Sequence, residues 1–222
     1  MDLEDDRGRA GGSARREHER RRALREERVR ARHPRLGGAL LAMTGEPTTT
    51  AVWETGAVGE EAVGRRLDAV AGPRLAVLHD RRIRGTRANI DHLVVTSSAV
   101  WVVDSKRYRN RRPTMRAEGG LLRPRVERLF VGGRDRTALV EGVLRQVERV
   151  SGTVGPEVPV RAALCFVDAD WPVIGGHLAV RGVRVVWPRR LVKEITAQDA
   201  QGMDVGAVAT ELAAAFPPHA AR

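Results

Sequence analysis

The feature that most constrains this chain is a predicted β-hairpin that carries two carboxylates and a lysine. Two short runs rich in Val, Leu and Trp, residues 93–95 and 100–103, flank a pair of serines, a pattern typical of a hairpin. A turn centred on the serines places Asp91 directly opposite Asp104. Lys106 lies two residues beyond Asp104, so its side chain projects from the same face of the strand. The pattern therefore predicts three charged side chains at one end of a sheet.

Two interpretations of these charges are open. Carboxylates are hard oxygen ligands that suit a divalent cation such as Mg²⁺. Alternatively, Asp91 begins its strand as a turn residue, and Asp104 forms an exposed ion pair with Lys106 that contributes only ~0–1 kcal/mol. A shift of one residue in the strand register would also move Asp91 to the other face. Only two of the 39 Lys and Arg residues are lysines, and Lys106 is one of them, which favours the functional interpretation.

Positive charge is concentrated around this hairpin. The chain has a formal net charge of +11, and the arginines between residues 81 and 136 greatly outnumber the acids there. Clustered arginine indicates binding to phosphates, although a solvated surface in an arginine-rich protein is the simpler alternative. A nucleic acid, DNA with RNA as an alternative, is the expected partner. The arginines predicted to contact it follow the second strand: Arg107, Arg109, Arg111 and Arg112.

Several classes of protein are not expected. No apolar run approaches the ~20 residues needed to span a bilayer, so we expect no membrane partner. The N-terminal residues have no apolar core of a secretory signal. The single cysteine, Cys165, cannot form an internal disulfide and has the apolar neighbours of a buried strand residue. These features predict a cytoplasmic protein.

The chain divides into three predicted parts. Residues 1–52 form a charged extension and linker, residues 53–200 the main domain, and residues 201–222 a C-terminal helix and tail. Residues 1–35 are rich in Arg and Glu and lack an apolar stripe, so either a solvated helix or disorder is expected. Residues 36–52 have the Gly, Pro and Thr content of a linker. We therefore expect residues 1–46 to be dispensable for folding.

The main domain is predicted to be a mixed α/β sheet covered by helices. The expected order of elements begins with a helix over 56–67 and strands over 75–79, 93–95 and 100–103, followed by either a further hairpin or an irregular segment over 114–131. A helix from an N-cap at Asp135 to residue 151, strands over 158–167 and 183–187, a short helix from Pro188 and a helix over 204–216 follow.

Four motifs in this order resemble the nuclease-related domain (NERD) family of the PD-(D/E)xK nuclease superfamily. They are Gly56-x-x-Gly59-Glu60 in the first helix, Ile90-Asp91-His92 at the start of one strand, Asp104-Ser105-Lys106 at the end of the next, and Gln146 on the following helix. The resemblance covers roughly residues 53–190. The chain departs from the superfamily pattern in two places, with Ile90 in place of a proline and Asp104 in place of the commoner Glu.

The resemblance implies a restriction-endonuclease-like core that hydrolyses DNA with Mg²⁺ or Mn²⁺. It implies catalytic roles for five residues: Asp91, Asp104, Lys106, Glu60 and Gln146. The implied metal ligands are Asp91, Asp104 and Glu60, and the choice of Glu60 over the neighbouring Glu61 rests on the resemblance alone. Gln146 would hold a nucleotide or support the site. Because one fold hosts several functions, the alternative is a catalytically inactive module that binds nucleic acid or recruits a partner.

Overall fold

Within the described parts of the chain, the fold consists of two β-sheets and five helices. It is seen in a computed structural model that describes residues 7–32, 48–86, 88–120, 123–172, 178–197 and 202–218. The helices are α1 (Gly12–Arg32), α2 (Thr48–Asp68), α3 (Thr137–Val154), α4 (Pro188–Thr196) and α5 (Val205–Ala215). The strands are β1 (Leu75–Arg82), β2 (Asn89–Thr96), β3 (Val100–Arg107), β4 (Pro113–Gly120), β5 (Arg123–Val131), β6 (Arg134–Asp135), β7 (Val160–Val167), β8 (Leu178–Val180) and β9 (Val183–Val186).

The central sheet has six strands in the order β1-β2-β3-β7-β9-β8. Strand β3 pairs in parallel with β7, and β7 with β9, whereas the other neighbouring pairs are antiparallel. Strands β4, β5 and β6 form a separate antiparallel sheet. The predicted mixed α/β fold with flanking helices is therefore confirmed. None of the helices in the described ranges is long and apolar enough to cross a membrane.

Helices cover both faces of the central sheet, which explains the nearly continuous apolar sequences of its inner strands. Successive residues of β3 face opposite sides, so Val102 packs in the core beneath α3 and α5. Trp101 and Val103 pack on the other side with Leu67 of α2 and Leu191 of α4. The sheet is thus fixed between two apolar cores, and only its strand ends are available for polar chemistry.

The register predicted for the hairpin is confirmed. Strands β2 and β3 pair His92 with Val103 and Leu93 with Val102. The next position in the same register places Asp91 opposite Asp104. Both strands extend further than their apolar runs predicted, because β2 begins at Asn89 and β3 ends at Arg107.

Several predicted boundaries are wrong. Helix α2 begins at Thr48 and not at residue 56 as predicted, so residues 48–52 of the predicted linker are helical. Its first residues include β-branched threonines that disfavour a helix, which explains the error; residues 36–47 lie outside the described parts of the chain. The division of the chain into three parts stays a prediction. The N-cap of α3 is Arg136 and not Asp135, which lies in β6 and accepts a hydrogen bond from the Thr137 N–H at 2.8 Å. Strand β8 was not predicted.

The N-terminal segment docks on the domain by close approach of backbones. The His79 N–H donates to the Arg7 carbonyl at 2.7 Å. At Gly8, a Cβ would lie well under 3.0 Å from the His79 carbonyl oxygen, a separation that real Cβ atoms essentially never show. A Cβ on Gly64 of α2 would lie 2.5 Å from the Cβ of Ala10. Glycine at these positions permits the close backbone contacts that dock the segment, although α1 has no apolar stripe.

A buried carboxylate anchors the start of α1. Asp80 at the end of β1 is 3% exposed. It accepts hydrogen bonds from the N–H and hydroxyl of Ser13 at 2.7 and 2.5 Å, from Arg16 at 3.1 Å and from Asn89 at 2.7 Å. Residues 1–46 were predicted to be dispensable for folding because they lack an apolar stripe that would dock them on the domain. The structure contradicts this premise, because Ser13 and Arg16 donate hydrogen bonds to the buried carboxylate of Asp80.

We predict that Gly8→Ala destabilises the protein more than Gly85→Ala. The two glycines have nearly equal φ angles of +75° and +76°, but a Cβ on Gly85 meets nothing within 4 Å. Both substitutions place alanine in the left-handed region at a cost of about 1–2 kcal/mol. Only Gly8→Ala also displaces the N-terminal segment, so it should lower the Tm by about 2–4 °C more. Equal Tm values in thermal unfolding, with equal proteolysis of α1, would contradict the docking.

Candidate active site

The hairpin brings Asp91, Asp104 and Lys106 together at the carboxyl end of β3. Asp91 and Asp104 are buried, with 9% and 7% exposure. Lys106 forms an ion pair with the Oδ1 of Asp104, and its Nζ lies 3.3 Å from the Ser105 carbonyl. The Ser105 N–H donates to the Oδ2 of Asp91 at 2.8 Å. The ion pair between Lys106 and Asp104 is therefore not an exposed surface pair, because Asp104 is buried.

Glu60 reaches this group from α2. The helix lies close to the end of β3, because a Cβ on Gly59 would be only 3.2 Å from the Cβ of Arg107. The backbone N–H of Gly11 donates to the Glu60 carboxylate, which places the N-terminal segment beside the site. The Oε2 of Glu60 is buried and has no hydrogen-bond partner among the described residues. A buried oxygen without a partner is costly and is a common sign of a missing water or ion.

The carboxylates repel one another and share a dry environment. Burial, then the charges of Glu60 and Asp104, raise the pKa of Asp91 well above its ordinary value. Burial and the charge of Asp80, with a further contribution from Asp104, raise the pKa of Glu60 to about 7, although Lys106 opposes the rise. The side chains thus form one electrostatic cluster even where no hydrogen bond joins them.

Lys106 supplies the positive charge inside this cluster. Burial alone would lower the pKa of its ammonium group, but the carboxylates of Asp104, Asp91 and Glu60 outweigh burial and raise the pKa above its ordinary value. Lys106 therefore stays protonated at neutral pH, and it can donate hydrogen bonds but cannot act as a base.

Asp80 is a neighbour of the site that the sequence did not indicate. It lies opposite Asp91 in the register of β1 and β2, between the pairs His79–His92 and Arg81–Ile90. The predicted strand 75–79 ended three residues before the end of β1 at Arg82, and the longer strand would have placed Asp80 beside the other carboxylates. Its hydrogen-bonding capacity is used by Ser13, Arg16 and Asn89, so Asp80 affects the site through its charge.

Gln146 of α3 lies at the side of the site and does not contact the carboxylates. Its Nε2 donates to the backbone carbonyl of Asn89 at 3.4 Å, two residues before Asp91. Its Oε1 is buried and has no partner within the described part of the chain. The hydrogen bond links α3 to β2 near Asp91, and the role of Gln146 at the site stays a prediction.

Behind the site, a chain of buried hydrogen bonds links α2 to β3. The Nε2 of His79 lies 3.0 Å from Asp68, the two Nδ1 atoms of His79 and His92 are 2.8 Å apart, and the Nε2 of His92 lies 3.0 Å from the Ser105 hydroxyl. Because a carboxylate only accepts, His79 donates to Asp68 and must accept from His92, which then accepts from Ser105. This order assigns one tautomer to each imidazole and holds Ser105 between Asp104 and Lys106.

The four arginines predicted to bind nucleic acid differ in their surroundings. Arg107 donates to Asp168 at 2.7 Å, and Arg112 donates to Asp170 at 3.1 Å. These pairs link the loop that follows β3 to the segment that follows β7. Arg109 and Arg111 are exposed on the same loop.

The carboxylates of this cluster have the oxygen atoms that a hard divalent cation prefers, but in the described residues they do not form a complete set of metal ligands. Among the residues that the structure describes, no group of three or more Asp, Glu, His or Cys side chains is placed to hold a metal ion. Mg²⁺, however, is commonly held by one or two carboxylates together with waters and substrate phosphate. Asp91 and Asp104 can provide those two carboxylates, and the unpartnered oxygen of Glu60 lies in the same cluster.

We predict that Glu60→Gln stabilises the metal-free protein at pH 8 but not at pH 4. The pKa of Glu60 rises from 4.5 to about 7 on folding, so its contribution to stability is complete below pH 4.5 and is lost as the pH rises through 7. The wild type should lose about 3 kcal/mol over this range relative to Glu60→Gln. Urea unfolding in EDTA at both pH values measures the difference.

Glu61→Gln is the matched control for this substitution. Hydrogen bonds from Arg15 lower the pKa of Glu61, so its ionised form is the one that folding favours. Glu61→Gln should therefore become less stable than the wild type as the pH rises, the opposite trend. If Glu60→Gln and the wild type differ by the same amount at both pH values, Glu60 is not held in a dry, negatively charged site.

The comparison with protein families agrees with this geometry. The family model described as "Nuclease-related domain" (NERD) matches residues 55–167, just over half of the chain. The matched segment begins in α2 and ends with β7, so it contains Glu60, Asp91, Asp104, Lys106 and Gln146. No curated protein and no solved structure matches the chain. The chain belongs to the nuclease-related domain family.

Proposed function

We propose that the protein is a metal-dependent nuclease that hydrolyses phosphodiester bonds of DNA. The observation that carries this proposal is the buried cluster of Asp91, Asp104 and Glu60 around the ammonium of Lys106. Perturbed carboxylates that gather at a strand end beside a basic loop are typical of a functional site and costly for folding. Membership of the nuclease-related domain family supports the same reaction class.

Each side chain has a proposed role in this reaction. Asp91 and Asp104 would hold Mg²⁺ or Mn²⁺, with Glu60 as the third acidic group. When bound, the metal ion supplies Lewis-acid polarisation of the phosphate and a bound water of lowered pKa. Lys106, protonated throughout, would donate to the phosphate oxygens and stabilise their growing charge. Glu60, whose buried Oε2 has no hydrogen-bond partner among the described residues, would complete the acidic group around the metal ion.

The loop after β3 is proposed to contact the phosphate backbone. Arg109 and Arg111 present exposed guanidinium groups there, while Arg107 and Arg112 also hold the loop through Asp168 and Asp170. Such contacts position a nucleic acid without reading its sequence. The proposed partner is DNA, and RNA is the alternative that carries the same phosphates.

A catalytically inactive nucleic-acid-binding module is the second candidate. One observation favours it: the charge of Asp104 is balanced by Lys106 within the chain itself, and no three acidic, His or Cys side chains of the described segments are arranged as metal ligands. This candidate predicts binding to nucleic acid with no metal-dependent cleavage.

We predict that Asp104→Asn abolishes cleavage while DNA binding in EDTA is retained or strengthened. The substitution removes a proposed metal ligand and also one negative charge that faces the phosphates. Cleavage of supercoiled plasmid and of single-stranded DNA, with Mg²⁺, Mn²⁺ or EDTA, should fall by at least about 100-fold. Fluorescence anisotropy measures the binding.

Asp204→Asn is the control for this experiment. Asp204 is the N-cap of α5, where asparagine caps equally well, so the variant should cleave and bind as the wild type does. Full activity of folded Asp104→Asn would refute the proposed site. An inactive wild type with intact DNA binding would favour the binding module.

We predict that replacing Arg109, Arg111 and Arg112 together with glutamine weakens the salt dependence of DNA binding. Each phosphate contact contributes about 0.9 to the slope of log affinity against log salt, so the slope should fall by up to about three. A charge-matched variant with Arg65, Arg145 and Arg189 replaced, which lie exposed on three different helices, should keep the wild-type slope. Equal slopes in the two triple variants would place DNA elsewhere on the protein.

A further inference from the structure

A second concave region lies at the end of the central sheet away from the candidate active site. It is a groove of about 610 Å³ at the amino ends of β3 and β7 and beside β9, whereas Asp104 and Lys106 lie at the carboxyl end of β3. Its volume falls in the range of about 300–1,000 Å³ that is usual for small-molecule sites. We call it the arginine groove, after the charged residues that line it: Arg161, Arg181, Arg184, Arg190 and Glu194.

The arginine groove has an excess of positive charge. Among the described residues, Glu194 is the only acidic one that lines the groove, and it accepts hydrogen bonds from both Arg184 and Arg190 at 2.6–2.8 Å. Arg181 lies 3.7 Å from Glu141 at the rim. Arg161 has no acidic partner within 4.0 Å among the described residues, and its guanidinium lies 5.7 Å from the ring centre of Trp101. Four cations against two carboxylates leave the groove able to accept an anion.

Trp101 adds a hydrogen-bond donor without an acceptor. It lines the arginine groove, is 2% exposed, and is the direct cross-strand partner of Arg161. The Nε1 of Trp101 is buried and has no hydrogen-bond partner in the described part of the protein. A buried donor without a partner costs about 1–3 kcal/mol. An oxygen acceptor bound beside Arg161 would remove that cost.

Arg181 occupies a position that an arginine rarely adopts. It forms with Gly182 the two-residue turn between β8 and β9, where both residues have positive φ, 51° and 80°. Asn, Asp and Gly are favoured in such turns, and a side chain in this region costs about 1–2 kcal/mol. The Arg181 N–H donates to Glu127 at 2.8 Å, which holds the turn in place.

One wall of the groove is apolar. Leu144 and Val147 of α3 and Val160 of β7 line it and are half-buried. The ligand that fits therefore combines an anionic group with a flat apolar group. We propose that the arginine groove is a nucleotide-binding site in which Arg161, Arg181 and Arg184 hold the phosphate and the apolar wall contacts the base. The nucleotide is either free or the terminal unit of a nucleic-acid strand.

The test follows the indole N–H resonance of Trp101 in ¹H–¹⁵N spectra, recorded in EDTA so that no cleavage occurs. The probes are adenosine 5′-monophosphate, inorganic phosphate and a 5′-phosphorylated tetrathymidylate. Adenosine 5′-monophosphate should shift this resonance in the wild type and should bind at least about tenfold more weakly to an Arg161→Gln, Arg181→Gln double variant. The charge-matched control replaces Arg145 and Arg149, which are exposed on α3 outside the groove.

Each result supports or overturns the proposal. Tighter binding of the tetrathymidylate than of the mononucleotide assigns the groove to strand ends, and the reverse order assigns it to free nucleotides. No shift in the wild type, equal affinity in the two double variants, or inorganic phosphate that binds as tightly as the nucleotide overturns it. The readout is the Trp101 resonance in EDTA, so the result is independent of whether the protein cleaves DNA.

Discussion

The antiparallel register of β2 and β3 is the constraint on which the rest of the site depends. It places Asp91 opposite Asp104 and leaves Lys106 on the same strand two residues further on. Two apolar cores fix this register, because a shift of one residue would turn Val102 and Trp101 to the wrong faces. The packing energy of the sheet therefore holds together carboxylates that repel one another.

The surrounding elements reduce the cost of that repulsion. Lys106 balances part of the charge, the Ser105 N–H binds Asp91, and the Gly11 N–H binds Glu60. The last contact comes from the N-terminal segment, which docks on the domain through glycines and hydrogen bonds. One oxygen of Glu60 remains without a partner among the described residues, and the proposed metal site would account for it.

The two ends of the central sheet carry different chemistry. The carboxyl end of β3 combines buried acids with an exposed arginine loop, a combination suited to phosphodiester hydrolysis. The amino ends of β3 and β7 combine arginines with a tryptophan and an apolar wall, without a cluster of acids. Both ends are proposed to bind phosphate groups, and the buried cluster of Asp91, Asp104 and Lys106 lies at the first.

Local sequence was sufficient for the hairpin, the mixed α/β class and the shared position of Asp91, Asp104 and Lys106, because alternation and turn residues act over a few positions. The choice of Glu60 rested on family resemblance, since nothing in α2 itself separates Glu60 from Glu61. The positions of Asp80 and Gly11 beside the site, and the arginine groove, are determined only by the tertiary structure. Those arrangements depend on contacts between residues far apart in the chain, for which the sequence has no local period. Folding also determined the pKa values of the carboxylates, because the pKa of a carboxylate depends on the dielectric and the charges that folding places around it.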